Sequence, residues 1–302
     1  MNERQLNFEK GRVEVLTLDE LEQSHVENYH DGTPVGGMYH FEVMHRVLEL
    51  LEKMHVPYEV KEIFAVDNRH GHTPGVTLHH DLEEKFGIQT IPTYTLRRIF
   101  ANIKVGNETA EGYSSNLAVS YTQSGCAVAW GPFCHVCHNQ TILSADHIFA
   151  NYTLPGHQRL DTPSRDIKYM LTSFEQTFLE EFEKSESEIQ AVLDLKQFPL
   201  CAREVREFIG EMSVQRTLCE SRNKAIKTNG IYPLSDANIN RCVESLAGNE
   251  LLDGCTAYDL LNATNFYCKP RYSVFENIFV QSYLIYKAIK GYTENGVFDF
   301  TV

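Results

Sequence analysis

Three segments near the middle of the chain, residues 94–105, 116–121 and 126–136, constrain the fold more than any other feature. Each is rich in β-branched, aromatic or small apolar residues, and turn formers bound them. Gln123-Ser124-Gly125 between the last two reads as a tight hairpin turn. Strands so close in sequence pair antiparallel with their sequence neighbours, because parallel pairing needs a crossover of a dozen or more residues. Leu117-Ala118-Val119 and Ala127-Val128-Ala129-Trp130 are small and apolar, as in strands covered on both faces.

Other elements follow from periodicity. Val13-Glu14-Val15-Leu16-Thr17 is a short β-like run, and residues 31–37 are dense in Gly, Pro and Asp. Phe41, Met44, Val47, Leu48, Leu51 and Met54 recur at steps of three and four, the spacing of one helical face, and Pro57 closes that helix. Residues 58–66 read as a strand, 67–75 as a polar loop, and 78–86 as a short helix stopped by Gly87. Beyond residue 161 the pattern turns helical. Ile167, Leu171, Phe174, Phe178 and Phe182 form an apolar stripe opposite Glu175, Glu180, Glu181 and Glu183. Helices are also expected over 202–219, 236–246, 257–266 and 274–292. Strands followed by segregated helices imply an α+β fold. The expected architecture is a mixed α/β subdomain with an antiparallel meander over residues 1–150 and a helical subdomain packed on it over 151–302.

The chain has 302 residues, 27 Lys plus Arg, 41 Asp plus Glu and a formal net charge of −14. That charge repels polyanions at long range, yet screening within about 10 Å leaves room for a local basic strip. The first residues carry no apolar signal core, and no apolar run approaches the ~20 residues of a membrane helix. A cytoplasmic location is therefore expected, with no membrane partner, and the eight cysteines are expected as reduced thiols.

Cys134-His135-Val136-Cys137-His138 matches the haem-attachment pattern literally and supplies half of a zinc-site pattern. Haem attachment requires export. Structural zinc requires four ligands, and no second close pair is present. Residues three apart on an extended strand face opposite ways, so these thiols converge only where the strand ends in a turn. A redox pair is expected at a helix N-terminus within a βαβ unit, which is not the pattern here. The expectation is that both thiols are packing material.

His70, His72, His79 and His80, with Asp67, form a second titratable group suited to a divalent cation or acid–base work. Adjacent histidines diverge on a helix, and the paired-histidine zinc motif is missing. These four histidines, Cys134 and Cys137 are the weak metal candidates; no metal and no cofactor are expected. Phosphate-loop, dinucleotide-binding, kinase and nucleophile-elbow patterns are missing, and no catalytic residues are assigned.

Leu96-Arg97-Arg98-Ile99-Phe100-Ala101-Asn102-Ile103-Lys104 is the most cationic stretch of this acidic chain. Strand alternation puts Arg98, Phe100, Asn102 and Lys104 on one face, where cations track a phosphate backbone and a ring stacks a base. Arg97, Arg98, Phe100 and Lys104 are thus the candidate nucleic-acid-binding residues. The competing reading is an edge strand protected by charge.

Leu96-Arg97-Arg98 with Asn102-Ile103-Lys104-Val105, Asn116-Leu117-Ala118-Val119, and Gly131-Pro132-Phe133-Cys134-His135-Val136-Cys137-His138-Asn139 resemble a phage- and plasmid-related protein family of unknown function with a strand, hairpin, V-C-x-N signature. Val136-Cys137-His138-Asn139 fits that signature, and the resemblance covers roughly residues 35–290. It implies a role in replication, recombination or conflict with host defence. The order helix, strand, three-strand meander, long helix also resembles the core of single-strand annealing proteins, which bind single strands along a basic groove and assemble as homo-oligomers. Three expectations follow. The first is a non-catalytic nucleic-acid-associated protein that binds or anneals single strands. The alternatives are an acidic protein that binds or decoys a host protein, and a metal-dependent enzyme built on the histidine cluster.

Overall fold

A computed structural model describes residues 6–8, 11–22, 29–30, 33–34, 40–67, 96–122, 125–152, 164–226, 234–247, 254–269 and 278–300. The expected helix at 78–86, the polar loop beyond Asp67 and residues 123–124 of the expected turn lie outside them.

The main sheet is antiparallel, with eight strands. It runs through β1 (Leu6–Phe8), β2 (Gly11–Leu16), β5 (Tyr58–Asp67), β6 (Leu96–Val105), β7 (Tyr113–Thr122), β8 (Gly125–Cys134) and β10 (Ile148–Tyr152), with β9 (Asn139–Gln140) paired to β8. β3 (Tyr29–His30) and β4 (Thr33–Pro34) form a separate small ladder. β6, β7 and β8 are consecutive neighbours, the meander read from the sequence. β2 pairs antiparallel with β5, Arg12 opposite Asp67 and Leu16 opposite Ile63. Between them lie α1 (Leu18–Glu22) and α2 (His40–Lys53). Thr17 starts α1: its Oγ1 accepts from the Glu20 amide at 3.2 Å while the Glu20 carboxylate accepts from the Thr17 amide at 2.7 Å.

The helices that follow are α3 (Ser164–Glu181), α4 (Ser185–Asp194), α5 (Ala202–Ile226), α6 (Asp236–Ala247), α7 (Ala257–Asn265) and α8 (Ile278–Asn295). Two short strands, β11 (Pro199–Leu200) and β12 (Cys255–Thr256), pair antiparallel among them. The helical expectation held no strand there, because a two-residue bridge leaves no periodic signal. None of the described helices is long and apolar enough to cross a membrane.

The chain forms two compact units, each made of several stretches of the sequence. One comprises 1–103, 118–128 and 149–176; the other comprises 104–117, 129–148 and 177–302. In the first, α2 buries Val43, Met44, Val47, Leu48 and Leu51, the stripe its periodicity indicates. Met170, Leu171 and Phe174 do the same for α3, and Phe174 meets the edge of Phe149 at 5.6 Å.

In the second unit the core gathers Val192, Val205, Phe208, Met212, Leu260, Leu261 and Ile285 from four helices. Trp130 stacks on His147 at 4.4 Å and meets Phe178 edge-on at 5.5 Å. His147 Nε2 lies 3.4 Å from Glu188 Oε1, both side chains buried, so this polar pair sits beside the ring cluster. Ser282 Oγ donates to the Gln140 carbonyl and accepts from the Ile142 amide, each at 3.1 Å, fixing the chain after β9. Phe208 is clasped by Phe298 and Phe300, with Tyr292 stacked on Phe298 at 4.1 Å.

Residues 99–103, 113–121 and 126–134 are buried without alternation. Period-2 side chains on both faces of these strands are therefore shielded from water. Buried Ser114, Asn116 and Ser120 show that polar residues also occupy these positions.

Candidate functional site

The basic strand does not present the face expected of it. Phe100 is 2% exposed and Asn102 8% exposed, so the ring offers no open surface to a base. Simple alternation assumed one solvated face, and both faces of β6 are covered over 99–103. Lys104 Nζ donates to Glu108 Oε2 at 3.2 Å, so this cation is already paired. Arg97 and Arg98 lie in β6, but their side chains fall outside the description. His70, His72, His79 and His80 lie outside the described residues. Among the described residues, no group of three or more His, Cys, Asp and Glu side chains is arranged to hold a metal ion.

The structure does bring Cys134 and Cys137 together. β8 ends at Cys134, and residues 135–138 form a turn that returns as β9, with Cys134 opposite Asn139 and Phe133 opposite Gln140. His138 takes a left-handed φ of +55° inside that turn. The His135 amide donates to the Gly112 carbonyl at 2.9 Å, and the Thr141 amide to the Pro132 carbonyl at 2.8 Å. A strand that ends at the first cysteine removes the geometric bar to convergence.

Cys134 is buried in the core of the second unit, as a packing residue would be. Near it stand donors that favour its ionised form: the Cys137 thiol, the Cys137 and Val136 amides and the Tyr113 hydroxyl. Those donors hold the Cys134 thiol down at about 5, the Cys137 thiol contributing most and burial opposing it. Cys137 is pushed the opposite way, by the neighbouring Cys134 side chain first and by burial second. Within the pair, ionisation therefore favours Cys134 over Cys137.

Cys137 Sγ also lies 3.5 Å from Asn262 Oδ1 on α7, and Asn139 Nδ2 donates to the Asn262 carbonyl at 2.9 Å. Lys269 Nζ donates to the Cys137 carbonyl at 2.5 Å and sits 4.0 Å above the Phe266 ring. The Tyr113 and Tyr258 hydroxyls are 2.5 Å apart, and burial followed by this bond raises Tyr113 far above the ordinary phenol value. The two histidines of the pentapeptide are engaged elsewhere. His135 Nε2 lies 2.9 Å from Ser114 Oγ, and the His138 ring meets Phe133 edge-on.

A cavity of about 440 Å³ adjoins the thiols, lined by Cys134, Cys137, Asn139, Tyr258, Asp259 and Asn262 among others. Cys255 also borders it, but burial and the Asp259 carboxylate push that thiol up to about 11. Tyr113, Tyr258, Asn262 and Lys269 carried no signal in the sequence, since only folding brings α7 to the hairpin.

In the first unit, α2 and α3 line a smaller groove of about 120 Å³. It carries the exposed cations Arg46, Lys53 and Lys168 with the carboxylates Glu49 and Glu175.

Comparison with protein-family models, with curated proteins and with solved structures finds no match to this chain.

Proposed function

We propose that the chain is a non-catalytic, nucleic-acid-associated protein of a mobile genetic element that binds or anneals single strands. The observation that carries this reading is the element order. α2, β5, the consecutive neighbours β6, β7 and β8 and, after β9 and β10, the long α3 follow the order helix, strand, meander, long helix. The reading is an argument from fold, and its chemistry must come from exposed cations.

With Phe100 buried, stacking on that ring is no part of the proposal. The grip is electrostatic. Arg46, Lys53 and Lys168 along the α2–α3 groove outnumber Glu49 and Glu175, and the strand N-terminus supplies Arg97 and Arg98. Contacts of that kind read phosphate rather than sequence. Mixing complementary DNA strands, one carrying a fluorophore and the other a quencher, tests the activity. The protein should speed pairing at low salt and lose the effect as salt rises. Pairing at the rate of naked strands, at every protein concentration, would overturn the proposal.

A second reading, an acidic protein that binds or decoys a host protein, is supported by the hairpin tip. Val136 is 85% exposed there, and Phe266 is 37% exposed on the same cavity rim. Exposed apolar groups within a strongly acidic chain suit a basic partner that has an apolar anchor point. Val136→Asp should then weaken capture of that partner; undiminished capture by the variant would count against this surface.

A further inference from the structure

We propose that Cys134 and Cys137 form a reversible disulfide across the hairpin tip, made by exchange with a low-molecular-weight disulfide that enters the adjoining cavity. The turn and the cavity carry this, and the electrostatics of Cys134 agrees with them. The turn at 135–138 folds the chain back on β8, with Cys134 paired opposite Asn139, so that Cys134 and Cys137 line one cavity. Two backbone amides and the Tyr113 hydroxyl act on Cys134 in the sense that favours its charged form, which suits a thiolate. Both cysteines border a cavity of about 440 Å³, large enough to admit part of a small disulfide.

The exchange balances without any other reagent. The Cys134 thiolate attacks one sulfur of the small disulfide; that S–S bond breaks, a mixed disulfide forms and one small thiolate leaves. Cys137 then loses its proton, and its sulfur attacks Cys134 Sγ. The mixed bond breaks, the second small thiolate leaves and the Cys134–Cys137 bond remains. The protein gives up two electrons and the reagent leaves as two small thiolates, one of which takes the Cys137 proton while the other is protonated from solvent. Reversal is built in, because a sulfur that readily carries negative charge is a good leaving group when an external thiolate attacks its partner. The thiolate is available at neutral pH because the Cys134 group is held at about 5.

The other cysteines give internal controls. Cys126, Cys242 and Cys268 are buried, with burial pushing each thiol up, while Cys201 is exposed. An exposed thiol reacts by access alone, whereas the hairpin pair reacts by thiolate character and proximity.

The test equilibrates the full chain with oxidised and reduced glutathione at graded ratios, traps it in acid and maps the products by mass spectrometry. The wild-type chain should lose two hydrogens, localised to a Cys134–Cys137 bridge, at ratios that leave Cys126 and Cys242 free. Cys137→Ser should instead accumulate a glutathione adduct on Cys134, because the resolving sulfur is gone. Cys134→Ser should modify Cys137 at least about tenfold more slowly. Should the variants not fold, phenylarsine oxide on the wild-type chain decides, since trivalent arsenic bridges two neighbouring thiols; one equivalent should bind and block both cysteines. A folded wild-type chain that keeps both thiols free where Cys201 is already modified, or arsenical uptake that leaves them alkylatable, would overturn the proposal.

Discussion

At the scale of single residues, the hairpin pair makes stability depend on pH in a way the rest of the thiols do not. Cys134 is held at about 5 in the fold against an ordinary thiol value near 9. A lowered value favours the ionised form in the folded state. Its contribution is complete above the unfolded value and fades as pH falls from about 9 through about 5. Cys137 is raised, so its contribution has the opposite sign and is lost as pH climbs above the ordinary value. The urea midpoint of the wild type should therefore rise between pH 5 and 9 relative to Cys134→Ser and turn down above that. Parallel curves for the two proteins would show that the pair does not titrate as a unit. Gly131 makes the second residue-scale prediction. A Cβ there would stand 2.0 Å from the Thr141 carbonyl oxygen, a backbone atom pinned by the chain that returns after β9. Gly131→Ala should cost about 1–3 kcal/mol in chemical denaturation, the range of an overpacked core with a displaced backbone.

Elements were the most legible scale. α2, α3 and the meander carried periodic signals strong enough to place, and α6 at Asp236–Ala247 and α7 at Ala257–Asn265 begin where the sequence indicated. The misses have physical causes. α4 is short and carries buried Glu188 on its packed face, so its apolar stripe is interrupted. β10 spans Ile148–Tyr152, a five-residue strand too short to give a clear alternation in the sequence. α7 shows how local chemistry fixes an end. Thr256 Oγ1 accepts from the Asp259 amide at 3.2 Å, and the Asp259 carboxylate accepts from the Thr256 amide at 2.9 Å. Thr256→Ala should cost about 1 kcal/mol, read as a shift in thermal midpoint. Because α7 carries Tyr258 and Asn262 to the thiols, the same variant should also change the alkylation rate of Cys137. Phe208→Ala should cost about 3–5 kcal/mol, since the ring is fully buried between Phe298 and Phe300.

At the scale of the whole molecule, the α+β class and the antiparallel meander could be read from residue order, whereas the sites could not. The alternation rule placed Phe100 and Asn102 on an open face, and burial on both sides of β6 closed it. The same rule separated Cys134 from Cys137, and a strand ending one residue into the motif joined them. A net charge of −14 means that any polyanion must be held by a local cation strip against a repulsive background. Such binding depends steeply on salt, with the logarithm of affinity falling by about 0.7 per phosphate contact for each unit of log salt. Fluorescence anisotropy of labelled single-stranded DNA across a salt series addresses this directly, using the wild type and a variant with Arg46, Lys53 and Lys168 replaced by alanine. The account predicts binding at low salt that weakens steeply as salt rises, and a slope shallower by about 2 in the triple variant. Negligible anisotropy change at low and moderate salt alike would contradict it.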